Sequence, residues 1–475
     1  HVMKLRHIGL ASLATALVAA IVLFCVDSRR ASAADPTAAA SNSSKGDTLR
    51  AVTMYGATSY FQYHDQPMGL DYEMLARYAS AQGLAIDLKV AADVPSMLCM
   101  LREGKVDMIA YGVPKIAEYT PGVRFCGKSE VNHQVLVQPK SAAVRSVPDL
   151  IGKTVYVEKD SKYQYRMANL ADELGGGIGI EAVVSDTIES VDLVRMVSDG
   201  SLPMTVADSD MADICADLYG SIDVSVAVST DQESSWVVAD DDRRLGDSID
   251  AWAKTDEAAA DYDRLRSKYY RHAARSAMVA QPTAAAHALA AVGSVRYEEI
   301  FRRYASRIGW DWRQLAAIAY TESRFDPTAV SWAGATGLMQ LMPSTARQYA
   351  VTDMTDPEQS VLGASLALAD IDKSLCKYVS DPTERRKFVI AAYNSGLGHI
   401  LDAIALARRY GRNPGLWYGG VREMALLKTT PQYYNDPVVK HGYFRGQETV
   451  GFVDKVLGAY EQYLRTVPEC EPQNK

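Results

Sequence analysis

One glutamate at the end of an apolar stretch is better placed than any other residue here to donate a proton. Residues 312–321 predict a helix with a buried apolar stripe, and Glu322 follows in its last turn before Phe325-Asp-Pro stops the helix. A carboxylate close to apolar residues and to the negative end of a helix dipole should have a raised pKa. A general acid that works near neutral pH needs such a pKa. Glu322 is therefore the candidate catalytic acid.

A long ordered motif surrounds Glu322. It reads Glu322-Ser-x-Phe-Asp-Pro-x-Ala-Val-Ser331-Trp-Ala-Gly-Ala-Thr-Gly-Leu-Met339-Gln340-Leu-Met-Pro, and Ala-Ala-Tyr393-Asn394-Ser-Gly follows further along the chain. This combination resembles the signature of the lytic transglycosylases of the soluble murein transglycosylase class. The resemblance implies a mainly α, lysozyme-like domain, placed at 295–466, that cleaves peptidoglycan glycan strands.

The same resemblance assigns roles to five residues besides the acid. It implies that Ser331 and Tyr393 orient the substrate or the acid through their hydroxyl groups. It also implies that Met339 and Gln340 line the sugar sites, one by apolar contact and the other by hydrogen bonding. Asn394 belongs to the same substrate-binding set, with a bracing role left open. From the residues alone, Met339 and Tyr393 could equally be core side chains.

The resemblance implies a mechanism with one acid. Glu322 would protonate the glycosidic oxygen between N-acetylmuramic acid and N-acetylglucosamine, with help from the muramoyl N-acetyl group. It would then take the proton of the C6 hydroxyl, which closes a 1,6-anhydro ring without a cofactor or metal. A standard glycosidase uses two carboxylates, and Asp326 is the only other acidic residue close to Glu322 in the sequence. Because Asp326 precedes a proline, a structural role in the turn explains it better than catalysis.

Two other functions remain open at this stage. One is a hydrolytic muramidase, and the other is a non-catalytic peptidoglycan- or peptide-binding protein. In the last helix, the family usually has a Tyr before a Val, and this chain has Phe452 at that position. This difference is the one point in favour of a domain that has lost its catalytic activity.

Gly334 and Gly337 permit a tight turn at a place where a Cβ would obstruct the glycan.

The N-terminal half alternates short apolar strands with amphipathic helices, among them helices predicted over 70–82 and near 190–198, and this pattern predicts a parallel α/β sheet. Its phrases, among them Gly69-Leu-Asp-Tyr-Glu-Met-Leu and Asp149-Leu-Ile-Gly-Lys-Thr-Val, resemble the periplasmic solute-binding domains of the amino-acid-binding class. The resemblance implies a two-lobed domain over 48–255. The first lobe is placed at 48–138 and 226–255, and the second at 139–225.

The sequence indicates which chemical groups of a ligand this domain could bind. Relatives clamp a ligand carboxylate with an Arg shortly after the strand that ends near Gly112, but no Arg occurs here until Arg124. Lys115 is the candidate substitute, although Lys lacks the planar fork of Arg. Asp208 matches the residue that binds the ligand amine. We therefore expect a sensor for muropeptides or amino acids that gates the catalytic domain, or else a domain that only positions the enzyme.

The first residues read as an export signal. Residues 1–33 contain an apolar run flanked by charges, and the small, polar stretch 34–47 predicts a flexible linker. The run could be cleaved, could be lipidated at Cys25, or could stay as a membrane anchor. All three fates predict a periplasmic, membrane-associated protein. Residues 256–294 are read as a helical linker and 467–475 as a tail.

Net charge and cysteine spacing limit the kinds of ligand and metal site that we expect. A formal net charge of −8 without clustered Lys and Arg gives no case for nucleic-acid binding. The six cysteines contain no CxxC pair, so no metal site is expected. Disulfides are expected between Cys99 and Cys126 and between Cys376 and Cys470. The pairing of a solute-binding domain with a transglycosylase domain resembles the membrane-bound lytic transglycosylase F family.

Overall fold

The computed structural model describes residues 48–142, 144–183, 188–278 and 297–466. The predicted signal, the linker that follows it and the C-terminal tail lie outside these residues. The described residues within 50–75 and 88–466 group into one compact unit. None of the described helices is long and apolar enough to cross a membrane.

The first lobe is a twisted sheet with a small hairpin and helices. Its sheet has the strand order β4-β1-β5-β12-β6, with β1 and β5 parallel and β12 antiparallel to both of its neighbours. The elements of this lobe are β1 (Thr48–Met54), β2 (Phe61–Tyr63), β3 (Gln66–Met68), α1 (Leu70–Gln82), β4 (Ala85–Ala91), α2 (Val94–Arg102), β5 (Met108–Pro114) and β6 (Val123–Asn132), with β12 (Gln232–Ala239) and α6 (Arg243–Ala253) returning later.

The second lobe has its own sheet, with the order β11-β7-β10-β8-β9. Its elements are β7 (Gln134–Pro139), β8 (Thr154–Glu158), α3 (Lys162–Glu173), β9 (Gly179–Val183), α4 (Ser190–Ser198), β10 (Thr205–Asp208), α5 (Ser209–Tyr219) and β11 (Ile222–Ala227). Because β7 pairs antiparallel with β10 and β11, residues 134–138 lie in the second lobe, not in the first as the sequence suggested. The chain crosses between lobes at His133 and again after Ala227.

The segment after the second crossing includes one long helix, α7 (Asp256–Ser276), where the sequence predicted a helical linker. It is more than a connector. Its apolar residues Tyr262, Leu265 and Tyr269 are buried, and the Tyr219 hydroxyl donates a hydrogen bond to the carbonyl of Ala274 (2.7 Å). The helix therefore packs into the solute-binding domain. The remainder of the predicted linker lies outside the described residues.

The C-terminal domain is helical, as expected. Its helices are α8 (Glu298–Ile308), α9 (Trp312–Ser323), α10 (Pro343–Gln348), α11 (Pro357–Leu375), α12 (Pro382–Ser395), α13 (Leu397–Arg409), α14 (Arg422–Leu427), α15 (Pro431–Tyr434) and α16 (Gly446–Thr466). One continuous apolar core joins α8, α9, α12 and α16, with Phe301, Leu315, Phe388 and Val453 at 0% exposure. The prediction of a two-lobed α/β domain followed by a mainly α domain is confirmed.

Aromatic side chains join the two domains. Phe61 of β2, Tyr269 of α7 and Tyr443 are buried in one cluster, against which Tyr63 and Trp332 pack. The indole of Trp332 stacks on the imidazole of His272 from α7, with ring centroids 3.6 Å apart. Because Trp332 follows Ser331 in the motif, this contact reaches the loop next to the catalytic candidate.

Candidate active site

Glu322 lies in the last turn of α9, a helix whose body is buried. Residues 312–320 are all buried, in contact with α8 and α16, and the Asp311 carboxylate caps the first turn by accepting a backbone hydrogen bond (2.9 Å). The helix ends because Arg324 and Phe325 both adopt left-handed conformations, with φ of 56° and 65°. Such conformations are unfavourable for residues other than glycine. The surrounding fold must therefore hold this turn, and with it the direction of Glu322.

The Glu322 carboxyl sits in protein surroundings that favour its neutral form. Glu322 is half-buried, and burial raises the pKa of its carboxyl to about 8. Burial is the single cause of the rise, since no charged group among the described residues contributes to it. A carboxyl with this pKa is mostly protonated at neutral pH and can donate a proton.

Tyr393 lies close to Glu322. Burial raises the pKa of the Tyr393 phenol well above its usual value, and the charge of Glu322 adds to the rise. The Tyr393 hydroxyl donates a hydrogen bond to the carbonyl of Met339 (2.7 Å). Tyr393 therefore lies near Glu322, and its hydroxyl is already engaged by the backbone.

Ser331 holds a narrow loop between α9 and α10. Two isolated bridges, Val330 with Thr336 and Thr336 with Leu341, shape this loop. The Ser331 hydroxyl accepts a hydrogen bond from the N–H of Ala335 (3.0 Å), so its visible role is to close the turn.

Gly337 is required in this loop for a reason that the sequence did not indicate. Its φ is 87°, and a Cβ there would lie 1.8 Å from the carbonyl oxygen of Met354. The close approach is therefore to the protein itself and not to a glycan. At Gly334 a Cβ would meet nothing within 4 Å, and only its φ of 89° favours glycine.

Met339 and Gln340 face the protein interior. Met339 is 0% exposed and belongs to the helical core, which is the alternative that the residues had left open. The Gln340 amide donates hydrogen bonds to the carbonyls of Ala329 (3.0 Å) and Gly337 (2.9 Å). Both side chains brace the loop in this structure and do not line an open sugar site as predicted.

Two further candidates have structural partners. The Asn394 side-chain oxygen accepts a hydrogen bond from the Thr449 hydroxyl (2.7 Å), which ties α12 to α16. Asp326 is exposed and accepts hydrogen bonds from the N–H and the hydroxyl of Thr328 (both 2.8 Å). The hydrogen bonds from Thr328 lower the pKa of Asp326, which agrees with the structural role expected for it.

The turn between β2 and β3 reaches the active site from the other domain. We call its residues, Tyr63-His64-Asp65, the hairpin tip. Burial raises the pKa of the Tyr63 phenol, and the charge of Glu322 adds to the rise, so the phenol lies near the acid. His64 and Asp65 adopt left-handed conformations, with φ of 49° and 57°. Tyr63 therefore brings the first lobe near Glu322.

Hydrogen bonds fasten the hairpin tip to the start of α13. The His64 N–H donates to the carbonyl of Ser395 (3.0 Å). The Asp65 carboxylate accepts from the N–H groups of Leu397 (3.2 Å) and Gly398 (3.1 Å). These are free N–H groups at a helix N-terminus, which favour an anionic partner.

Gly396 gives the tip room, because a Cβ there would lie 2.7 Å from the backbone nitrogen of Asp65. No sequence pattern predicted the position of the hairpin tip. A polar His-Asp pair between apolar residues is a weak turn signal, and it says nothing about the domain that the turn will contact.

A second junction links the helical domain to the second lobe. The Arg445 guanidinium, 9% exposed, donates to Glu189 (2.7 Å) and Asp192 (2.9 Å) at the start of α4. The Tyr443 hydroxyl also donates to Glu189 (2.8 Å). Glu189 lines the cleft between the lobes as well. One carboxylate thus faces the cleft and is bound by the catalytic domain.

The interlobe cleft has a volume of about 560 Å³ and contains Asp208. The Asp208 carboxylate pairs with Lys162 (2.5 Å). Burial raises the pKa of Asp208, although Lys162 opposes the rise. Lys115 does not line the cleft. The backbone N–H of Lys115 donates a hydrogen bond to the carbonyl of Glu233 (2.8 Å), and its ammonium group lies 3.5 Å from the Glu233 carboxylate. The prediction that Lys115 clamps a ligand carboxylate is therefore wrong.

The predicted disulfide in the first lobe is not formed. Cys99 and Cys126 are both free thiols, because Cys99 is exposed on α2 while Cys126 is buried on β6. Cys376 is also a free thiol, and its predicted partner Cys470 lies outside the described residues, as does Cys25. Within the described ranges, no group of three or more His, Cys, Asp or Glu residues is arranged to hold a metal ion.

Comparison with known proteins defines the class of this chain. A family model for the transglycosylase SLT domain matches residues 299–414. A model for bacterial extracellular solute-binding proteins, family 3, matches residues 52–272, which include most of α7. The chain therefore joins a solute-binding domain to a transglycosylase domain that contains Glu322.

Full-length relatives carry the same pair of domains. The chain is 32% identical to membrane-bound lytic murein transglycosylase F of Stutzerimonas stutzeri, over 90% of this chain and 86% of that protein. It is 32% identical to the protein of that name from Pseudomonas fluorescens, over 87% and 84%, and 28% identical to one from Desulfosudis oleivorans, over 86% and 88%. The chain belongs to the membrane-bound lytic murein transglycosylase F family. This confirms the prediction of a peptidoglycan-cleaving glycan lyase with a solute-binding domain.

Proposed function

We propose that Glu322 is the single acid and base of the lytic reaction. Its protonated carboxyl donates to the glycosidic oxygen between N-acetylmuramic acid and N-acetylglucosamine, which breaks the bond to the anomeric carbon. The muramoyl N-acetyl group supports the positive charge that develops at this carbon. The Glu322 carboxylate then removes the proton of the C6 hydroxyl, whose oxygen closes the 1,6-anhydro ring and restores the acid.

One observation carries this proposal. The pKa of Glu322 is raised to about 8 by burial alone. A second carboxylate at the separation of a glycosidase pair, about 5–10 Å, would contribute through its charge. Asp326, the nearest acidic residue in the chain, instead has a lowered pKa and hydrogen bonds to Thr328. This favours a lytic reaction over hydrolysis.

The test is mass spectrometry of the fragments released from purified sacculi by wild type and by Glu322→Gln. We expect anhydromuropeptides from wild type and none from the variant. Reducing-end fragments from wild type would identify a hydrolytic muramidase. No release by either protein, with sacculi that a known lytic enzyme digests, would indicate a binding protein instead.

We also propose that the solute-binding domain restrains the catalytic domain until a ligand enters the cleft. The hairpin tip supports this idea, because Tyr63 lies near Glu322 and Asp65 bonds the start of α13. The junction at Arg445 supports it too, because Glu189 belongs both to the cleft and to the contact with the catalytic domain. A ligand that draws Glu189 into the cleft would weaken that contact.

The ligand class that we propose is a cell-wall muropeptide or a free amino acid, held by its amine at Asp208. Calorimetry of the full chain with muropeptides and with amino acids tests this part. Absence of heat at millimolar ligand would reject a sensor and leave the domain a positioning role.

The restraint itself is tested by Asp65→Ala. We expect turnover of sacculi to rise by about 5-fold or more, the lower end of typical coupling between sites, and we expect muropeptides to accelerate wild type but not the variant. Asp353→Ala is the matched control, because Asp353 also accepts a backbone N–H in a turn (Thr355, 2.8 Å) but belongs to the catalytic domain alone. A fall in turnover for Asp65→Ala would show instead that the tip completes the active site.

For location, we propose export through residues 1–33 and attachment to the membrane on its periplasmic side. The family's membrane-bound members support this proposal. Fractionation of cells that produce wild type or Cys25→Ser tests the mode of attachment. Release of the variant alone into the soluble fraction is expected for a lipid anchor at Cys25, and equal retention of both points to an uncleaved apolar segment.

A further inference from the structure

A chamber of about 260 Å³ lies in the first lobe, next to the interlobe cleft. It is enclosed by β5, β6 and β12 of the sheet and by parts of α1, α6 and α7. The chamber and the cleft share five lining residues: Leu70, Asp71, Gly112, Glu130 and Ser234. A ligand in the cleft can therefore extend a side group into the chamber.

The chamber combines aromatic walls with acidic groups. Trp236 and Trp252 stand nearly parallel, with ring centroids 6.4 Å apart and an angle of 13° between their planes. The indole N–H of Trp236 donates to the Asp71 carboxylate (3.0 Å). The Tyr262 hydroxyl donates to the Glu130 carboxylate. Each carboxyl is thus held in place by one aromatic donor and keeps further oxygen lone pairs for another partner.

These walls suit one class of ligand. An alkyl chain gains by contact with Met74 and the indole rings, and a cation is attracted both by carboxylates and by aromatic faces. An anion would meet Asp71 and Glu130, and a wholly apolar group would leave both carboxyls without a new partner. Lys128 also lines the chamber, but its ammonium group is already engaged by the face of the Tyr262 ring (3.4 Å to the centroid) and by the carboxylate of Asp263 (3.3 Å).

We propose that this chamber binds the ammonium end of an aliphatic amine, such as the side chain of a diamino acid, between Asp71 and Glu130. The proposal rests on the proposed function in one respect, namely that the cleft admits ligands. It differs from amine recognition at Asp208, which lies on the second lobe, because the chamber belongs wholly to the first lobe and its neighbouring helices.

Proton release should accompany binding. Burial raises the pKa of Asp71 to about 8, although the hydrogen bond from Trp236 opposes the rise and the charge of Glu130 adds to it. The other titratable and charged groups that face the chamber, Asp71 or Glu130 are Lys128, Lys254, Tyr111, Tyr262, Asp210 and Arg266. An ammonium ion beside Asp71 stabilises its ionised form, so the amine should bind more tightly as pH rises from 6 toward 8.5 while it stays protonated.

The test is calorimetry of the full chain with n-pentylamine, and with pentan-1-ol as the uncharged probe of the same length. We expect the amine to bind at least tenfold more tightly than the alcohol, and to release protons at pH 7 in buffers of different ionisation enthalpy. Asp71→Asn should weaken amine binding at least tenfold, and Trp252→Ala several-fold. Asp240→Asn is the matched control, because Asp240 is an exposed aspartate of the first lobe that does not line the chamber, and it should leave the affinity unchanged.

Other outcomes separate this proposal from the function of the cleft. Equal affinity for amine and alcohol, or an unchanged affinity in Asp71→Asn, overturns the chamber as an ammonium site. Loss of amine binding in Asp208→Asn but not in Asp71→Asn places the amine in the cleft and also overturns it. If Asp71→Asn loses amine binding while muropeptides fail to stimulate wild-type turnover, the chamber stands and the sensor proposal fails.

Discussion

Two carboxyl groups of the helical domain, one half-buried and one fully buried, have pKa values that are shifted in opposite directions. At Glu322, burial acts alone and raises the pKa to about 8. At Asp402, 2% exposed, burial also opposes ionisation, but hydrogen bonds from His441 and Lys428 outweigh it and lower the pKa. The difference shows that burial alone does not define an acid. The partners that the fold supplies, or withholds, decide whether a buried carboxyl stores a proton.

The partners of Asp402 form a closed set. The Lys428 ammonium group, 0% exposed, donates to Asp402 (2.8 Å) and to Nδ1 of His399 (3.0 Å). Nε2 of His399 then donates to the carbonyl of Gln62 (2.8 Å), next to the hairpin tip. Burial and the charge of Lys428 lower the pKa of His399, which keeps it neutral. The hydrogen bonds of Asp402, Lys428 and His399 thus connect the two domains, whereas the Glu322 carboxyl stays protonated and can donate a proton.

The largest effect is expected at Glu322. Glu322→Gln should reduce the rate of release of anhydromuropeptides by about 10²–10⁴-fold, the usual contribution of a general acid. Its free energy of unfolding at pH 7 should equal or exceed that of wild type, because no partner is lost. A loss of stability in the variant would mean that Glu322 has a structural role like that of Asp402.

The next effect is expected at Asp402. Asp402→Asn leaves Lys428 buried without its counterion, and we expect a loss of about 3–5 kcal/mol in the free energy of unfolding. Urea denaturation measures this loss. A double variant, Asp402→Asn with Lys428→Met, should recover part of it, whereas no recovery would show that Lys428 does not need its partner.

The pH dependence of stability should have opposite signs at the two sites. The folded-state pKa of Glu322 lies above the ordinary value of about 4.3, so wild type should lose stability relative to Glu322→Gln as pH rises from about 4 to 8. The folded-state pKa of Asp402 is lowered, so its contribution should be present above about pH 4 and be lost on acidification. Unfolding free energies of wild type and both variants, measured from about pH 8 down to about pH 2, give both signs. The rate of catalysis should also fall above pH 8 as Glu322 loses its proton.

The smallest effect is expected at Asp326. Asp326→Asn replaces an exposed carboxylate with an amide, whose oxygen can still accept the hydrogen bonds from Thr328. Turnover should therefore stay within about twofold of wild type, and the free energy of unfolding within about 0.5 kcal/mol. Product assays and denaturation measure both. A loss as large as that of Glu322→Gln would establish a second catalytic carboxylate and reject the single-acid mechanism.

Local patterns predicted many elements well. The apolar spacing predicted a helix over 70–82, which is α1, and a helix near 190–198, which is α4. The helix before Glu322 was predicted to 321 and extends to Ser323. These elements have strong periodicity and clear end signals, which depend on neighbours in the sequence alone.

Contacts between distant residues were not predictable in this way. Lys115 was the candidate substitute for the missing Arg, yet it does not line the cleft and its ammonium group lies beside the Glu233 carboxylate. Met339 was assigned to a sugar site, yet the helical core encloses it. In each case the residue type allowed the role, and packing against a remote segment assigned another.

By itself, the sequence determined the two classes of domain, their order and the position of Glu322 at the end of α9, because helix periodicity, turn residues and a contiguous motif are local properties. Only the tertiary structure decided that Tyr63 of the hairpin tip lies near Glu322, that Arg445 binds a carboxylate of the cleft, and that Asp71 and Glu130 share a chamber with two tryptophans. Those arrangements depend on residues far apart in the chain. Burial and charge bring these residues together only when the domains pack, and no local sequence pattern predicts such contacts.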